Sequence, residues 1–239
     1  MRTILLATDL DKTLLGDRDG LSRLNQMLMR LRANHSLKLV YVTARSIESY
    51  NELIQNESLL VPDGLITSVG TEIYTDLTSQ KLSGWPNPAG WDVDFANGQI
   101  AALPGVTKQP AAEQRDYKIS YYLEAGFPAA SQVRQLLGNN YEVIYSGVKY
   151  LDVLPLGVHK GSALRHLSAV WGIDNRNVIA CGDSANDISM IDGNKAIIVG
   201  NAKQELLEWL GSSDQPESYR ATGHYAEAII EGLNHFGIG

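Results

Sequence analysis

At 239 residues, with 44% apolar and 20% charged side chains, the chain is long enough to build one large domain or two smaller ones around a real core. A net charge of −7, with Lys and Arg scattered rather than clustered, argues against nucleic-acid binding, whose affinity depends on basic clusters. No stretch approaches the ~18 apolar residues of a membrane span and no signal peptide precedes the first strand, so a cytoplasmic protein without a membrane partner is expected.

In chain order, Thr3–Thr8 reads as a buried strand. It delivers Asp9 and Asp11, one residue apart, to its carboxyl end, where ligands bind in open parallel sheets. Leu21, Leu24, Leu28 and Leu31 recur at helical spacing, and Leu37–Val42 reads as the next strand. Ser46 is expected to cap a helix reaching about Gln55; Pro62-Asp63-Gly64 breaks the chain before the apolar run Leu65–Ser68. Strands alternating with helices imply right-handed crossovers, a parallel sheet and an α/β class.

The composition changes at Lys81, and Trp85–Gly90 is a turn-rich joint. Beyond it come a weak helix (91–102), an alternating strand (117–123), a helix (129–137) and two strands (141–146 and 150–154). Gly147-Val148-Lys149 separates the last two at hairpin spacing. This mixture suggests a small α+β domain inserted in the larger one. The parallel pattern resumes with a helix from Lys160 to about Trp171, a strand 177–181, a helix from near Asn186, a strand 196–199 and a helix 203–210. A polar loop (212–218) leads to a final amphipathic helix (225–236) packing through Ala226, Ile229, Ile230 and Leu233. The expected division is 1–80 and 158–239 for the larger domain and 81–157 for the insert, with hinges at 81–90 and 156–159. Cys181, the only cysteine, leaves no intrachain disulfide and reads as a buried apolar residue.

Buried carboxylates without partners are too costly to serve as packing residues, so Asp9 and Asp11 read as a nucleophile and an acid/base for phosphoryl chemistry. A second acidic segment, Gly182-Asp183-Ser184-Ala185-Asn186-Asp187, also follows an apolar strand. Asp9, the backbone carbonyl of Asp11, Asp183 and Asp187 would supply the oxygen ligands that Mg2+ prefers. A negatively charged protein that binds a phosphate ester needs such local positive charge. Thr43, at the end of its strand, can offer a hydroxyl and nearby amides to a phosphoryl oxygen. Lys160-Gly161 opens a helix and so aims an ammonium and free N–H groups at an anion.

The ordered set strand-DLDKT, strand-T, K-G-helix and strand-GDSAND resembles the four motifs of the haloacid dehalogenase (HAD) superfamily of aspartate-dependent phosphatases. That resemblance implies a Rossmann-like parallel-sheet core with the α+β insert as a cap. It also implies that Asp9 attacks phosphorus and that Asp11 is the proton shuttle. Thr43, Ala44 and Lys160 would hold the phosphoryl oxygens, while Asp183 and Asp187 fix Mg2+ beside Asp9. Within the superfamily the chain is most similar to the sucrose-phosphate phosphatase group, through residues 43–46, 69–74, 118–121, 151–155 and 199–202. Sucrose-6-phosphate hydrolysis is therefore expected. Another phosphorylated glycoside (mannosylfructose phosphate or a glucosylglycerol-type phosphate) is the alternative, and a non-catalytic partner of the synthase is a third reading. Arg45, Gly70, Thr71, Glu72, Lys118, Tyr121, Asp152, Asn186 and Asn201 are the sugar-binding candidates, Glu72 on a short turn after Gly70. Two departures stand out: Ala44 where the group commonly has Gly, and His159 where it has Asn or Asp. A monomer is expected, with association with a sucrose-phosphate synthase left open.

Overall fold

In the run Ile4–Thr8 every residue suits a strand buried on both faces, and β1 (Ile4–Thr8) lies at the centre of the larger sheet. The structure, a computed structural model, describes residues 3–34, 37–75, 80–124, 130–146, 149–215 and 217–238. Helix α1 (Arg18–Asn34) follows β1, and then come β2 (Leu37–Val42), α2 (Ile47–Leu53), β3 (Gly64–Thr67) and β4 (Glu72–Tyr74). The expected cap forms: Ser46 accepts a hydrogen bond from the Ser49 amide. Glu72, expected on a turn, lies in β4, which runs antiparallel to β3.

The middle of the chain builds a separate four-stranded antiparallel sheet. Its elements are α3 (Val93–Ala101), β5 (Val106–Lys108), β6 (Ile119–Leu123), α4 (Ala130–Leu137), β7 (Tyr141–Ser146) and β8 (Tyr150–Pro155), with strand order β5-β6-β8-β7. Ala129 and Gly147-Val148 lie outside the described residues. The remainder returns to the larger sheet through α5 (Lys160–Val170), β9 (Val178–Gly182), α6 (Ile188–Ile191), β10 (Lys195–Ile198), α7 (Gln204–Ser212), β11 (Ser218–Arg220) and α8 (Tyr225–His235). The strand order is β11-β10-β9-β1-β2-β3-β4, parallel except for β4.

Alternation along β1 explains the layers. Leu6 joins Leu24, Leu28, Ile229 and Leu233 under α1 and α8, while Leu5 and Ala7 join Leu164, Leu167, Met190 and Leu206 on the other face. In the smaller sheet Ile119, Tyr121, Leu123, Leu151 and Val153 pack on α3 and α4 through Ala96, Ile100 and Val133. The opposite face carries Ser120 and Asp152, which are cross-strand partners, and it turns toward the larger sheet. Arg115, beside β6, reaches across to Glu48 of α2, 2.5 Å away.

The chain leaves β1 toward β2 on one side and comes back to it at β9 on the other. Ligands collect at such a reversal of strand order. Thr8 is level with Tyr41 and with Cys181, so Asp9, Thr43 and Asp183 all emerge at one rim.

Candidate active site

Asp9 extends the ladder by one rung, its amide donating to Cys181 O at 3.1 Å, before the chain turns. Lys160, the first residue of α5, is wholly buried, and its Nζ lies 2.8 Å from Asp9 Oδ1 and 2.7 Å from Asp187 Oδ1. Asp187 closes back on its own loop, accepting from the amides of Asp183 and Ser184 at 3.0 and 3.1 Å. Gly182 permits that fold-back, because a Cβ there would meet the Asp187 side chain at 2.5 Å. Thr13 donates to Asp183 from the turn after β1.

Asp9, Asp183 and Asp187 each offer an oxygen, and these oxygens lie within 4.8 Å of one another. One buried ammonium, Lys160, pairs with two of these carboxylates, Asp9 and Asp187. Burial, offset in part by Lys160 and reinforced by Asp187 and Asp183, pushes Asp9 up to about 7. Burial and Asp187 push Asp183 up to about 6. Burial alone would lower Lys160, but Asp187 and Asp9 outweigh it and keep the ammonium protonated. An all-oxygen cluster with surplus negative charge fits a hard divalent cation.

Asp11 stands at the edge of this floor, half-exposed, and accepts two hydrogen bonds from Arg45 Nε and Nη2, both at 2.7 Å. Arg45 also donates to Ser49 at 3.0 Å. The Thr43 amide continues the ladder to Ile66 O at 2.8 Å, and its hydroxyl accepts from the Arg45 amide at 3.1 Å.

A cavity of about 350 Å3 separates the two sheets. Asp11, Ala44, Arg45 and Ser49 form one wall; Glu113, Lys118, Tyr122, Ser146, Tyr150 and Asp152 form the other. Asp152 accepts from Ser120 Oγ at 2.5 Å and lies 3.8 Å from Lys118 Nζ. Tyr122 and Tyr150 stand with ring centroids 5.9 Å apart, and Lys149 lies 5.1 Å from the Tyr122 ring.

The structure thus brings together Asp9, Lys160, Asp183 and Asp187, and gathers Asp11, Ala44, Arg45, Lys118 and Asp152 around the cavity. Other sugar-binding candidates are engaged elsewhere. Tyr121 lies on the helix-covered face of β6 and donates to Asn97 at 2.7 Å. Its neighbour Tyr122 takes the cavity position. Glu72 accepts from Thr67 and Tyr74 and pairs with Lys81 at 2.6 Å. Asn201 ties the Lys12 carbonyl to the Tyr225 amide. Thr71 donates back to Ser68 O, and Gly70 abuts the start of α5. Asn186 accepts from Lys160 and Ser184 and lines a second cavity of about 540 Å3. His159 lines that cavity too and caps α5 by accepting from the Ser162 amide; burial and then Arg165 push its imidazole down to about 4. Tyr122 and Tyr150 escaped the motif-based reading. The apolar parity of Ile119, Tyr121 and Leu123 already assigns Tyr122 to the other face.

The same α/β architecture recurs in a phosphatase of the HAD superfamily from Bacteroides thetaiotaomicron (TM-score 0.74, 17% identity, covering 100% of this chain and 96% of that one), which defines the fold class. The model of the Sucrose-6F-phosphate phosphohydrolase family matches residues 2–237, and the chain belongs to that family. The sucrose-phosphatase from Synechocystis sp. PCC6803, solved in complex with sucrose and phosphate, is 32% identical with a TM-score of 0.91 and 99% of both chains covered. A probable sucrose-phosphatase 3b from Arabidopsis thaliana is 33% identical over 255 residues, 99% of this chain. The chain spans about 60% of the length of the plant relatives it matches.

Proposed function

We propose that the protein hydrolyses sucrose 6-phosphate to sucrose and phosphate, with residues 81–157 acting as a cap over the catalytic floor. The observation that carries this reading is the pairing of a buried carboxylate-and-lysine floor with a polar, aromatic-lined cavity above Asp11. The Asp9 carboxylate attacks phosphorus, the bond from phosphorus to the sugar oxygen breaks, and an aspartyl-phosphate forms. Asp11 gives its proton to the departing alkoxide. It then takes a proton from the water whose oxygen attacks phosphorus and releases Asp9. A positioned acid/base of this kind contributes typically about 100- to 10,000-fold. Before it can act, Asp11 must leave Arg45, whose guanidinium becomes free for the incoming anion. Thr43, the Ala44 amide and Lys160 hold the phosphoryl oxygens.

Mg2+, held by Asp9, Asp183, Asp187 and the Asp11 carbonyl, would neutralise charge on the transferring phosphoryl group. On the cap, Tyr122 and Tyr150 present ring faces, while Lys118 and Asp152 present hydrogen-bonding groups, a pairing suited to a disaccharide. The Arg115–Glu48 contact fastens the cap to α2 beside the cavity.

A panel of phosphate esters scored by kcat/KM tests the substrate: sucrose 6-phosphate is expected to be preferred over hexose phosphates and mannosylfructose phosphate. No preference over simple hexose phosphates would sink the sugar assignment. Asp9→Asn is expected to abolish turnover with the fold intact, and retained hydrolysis would sink the mechanism.

A further inference from the structure

Beyond β3 the backbone does something the sequence gives no sign of. Ser68 and Val69 both adopt left-handed conformations (φ 51° and 61°), and Gly70 follows at 103°. Left-handed backbone is unusual for any residue with a side chain and most unfavourable for a β-branched one. All three residues are buried, and among the described residues Ser68 Oγ has no hydrogen-bond partner. Such strain persists only where the surroundings impose it, and it collects at functional sites.

The hydrogen bonds indicate what the turn does. Reversing the chain here lets two successive amides point back at the neighbouring loop: Ser68 N donates to Arg45 O at 2.8 Å and Val69 N to Thr43 O at 3.1 Å. Two carbonyls of the Thr43–Arg45 loop are therefore drawn toward β3. In a trans peptide the carbonyl and the following N–H point in opposite directions. Fixing Thr43 O on the β3 side thus turns the Ala44 N–H away from it. Because β2 lies between β3 and β1, away from β3 means toward the strand that carries Asp9. Fixing Arg45 O treats the Ser46 N–H in the same way.

The turn is braced on its other side as well. A Cβ on Gly70 would lie 2.4 Å from the His159 carbonyl carbon and 2.7 Å from the Lys160 nitrogen, so the turn rests directly on the start of α5. Gly70 O accepts from Trp85 Nε1 at 2.8 Å, and the Trp85 ring stacks on His166 of α5. One three-residue turn therefore touches the Thr43 loop, the backbone of Lys160 and the joint leading to the smaller sheet.

We propose that Ser68-Val69-Gly70 is a positioning turn: its left-handed backbone, centred on Val69, holds the Ala44 and Ser46 amides toward the phosphoryl group. This rests on the phosphatase reading above. Val69 touches no reacting atom and acts through the backbone of residues 43–45.

Val69→Gly and Val69→Ala separate this role from packing. Both remove the two buried Val69 methyl groups, and glycine removes Cβ as well, so a side chain that only fills space makes Val69→Gly the worse variant. Glycine, however, adopts the left-handed conformation freely, whereas alanine does not. The assay is competitive inhibition by orthophosphate during Mg2+-supported hydrolysis, together with kcat, KM and Tm. The expected result is at least tenfold tighter orthophosphate inhibition in Val69→Gly than in Val69→Ala, with KM moving in step, although Val69→Gly melts lower. Equal inhibition, or an order that follows Tm, would overturn the proposal. If either variant fails to fold, Gly70→Ala displaces the same turn from the other side. It is expected to weaken orthophosphate inhibition at least tenfold, and an unchanged inhibition constant would be equally fatal. Wild-type protein that neither hydrolyses phosphate esters nor binds orthophosphate would overturn the phosphatase reading instead.

Discussion

Replacing Lys160 by Met tests the electrostatics of the floor. The side chain is fully buried and contacts two carboxylates, at 2.8 and 2.7 Å, with Asp183 close by. Removing one partner of a buried ion pair costs about 3–5 kcal/mol, because the remaining charge stays out of water. Protonation limits that cost here. Burial and mutual repulsion already hold Asp9 at about 7 and Asp183 at about 6, so near pH 6 these groups can take up protons instead of remaining as bare anions. A carboxylate whose folded pKa lies above its unfolded value contributes stability below the unfolded pKa and loses it as pH rises through the folded one. The variant's deficit should therefore grow with pH, from about 3 kcal/mol at pH 6 to about 5 kcal/mol at pH 8.5. For a chain of this size each kcal/mol moves Tm by about 2–4 °C, so the deficits correspond to roughly 9 °C and roughly 15 °C. Thermal unfolding followed by circular dichroism at both pH values, with and without Mg2+, measures them; added Mg2+ should recover part of the loss. A Tm within about 3 °C of wild type at both pH values, or a deficit that shrinks as pH rises, would refute the reasoning.

The cap face offers a paired comparison. Tyr122→Ala should raise KM for the sugar phosphate about three- to tenfold, the worth of one aromatic platform, while Tyr121→Phe leaves kcat/KM unchanged and costs about 1 kcal/mol of stability through its lost bond to Asn97; the reverse pattern in steady-state kinetics would place the sugar on the wrong face. Glu231 provides a pH test outside the buried carboxylate cluster. Hydrogen bonds from Tyr219, Gly223 and Thr222 lower its carboxyl to about 2, so its contribution is complete above about pH 4.5 and disappears as pH falls toward 2. Glu231→Gln should therefore lower stability by about 1 kcal/mol at pH 7, a figure reduced for solvent screening, and the gap should close in melts taken near pH 2.

The buried carboxylate-and-lysine floor was readable because strong local patterns carry it. Apolar runs ending in Asp9, Thr43 and Asp183 can hardly be anything but strands opening on a shared rim, and a parallel sheet brings them together. The face of the smaller sheet that lines the cavity was harder to read. Tyr121 and Tyr122 are chemically identical, so only strand parity separates them, and parity matters only once the face covered by α3 and α4 is known. Glu72 and Asn201 found partners, Lys81 and Lys12, that lie in other segments of the chain. The strands β4, β5 and β11 are three residues each, too short to show a period. Nothing in the letters Ser68-Val69 announces left-handed backbone, since valine disfavours it; only the fold shows it, where the two amides donate to Arg45 O and Thr43 O.

Cys181 sits on β9 level with Thr8, sealed beneath Asp9, and burial together with Asp187 raises its thiol far above the ordinary range. A thiol so placed is inert until the central strands part. Being the only cysteine in the chain, it makes the protein its own unfolding gauge. The rate at which a thiol reagent labels it in native buffer reports how often the centre of the sheet opens. Mg2+ or orthophosphate should slow that labelling in proportion to how tightly each holds the folded state. The residue with no part in the chemistry thus becomes a direct meter of ligand binding at the residue beside it.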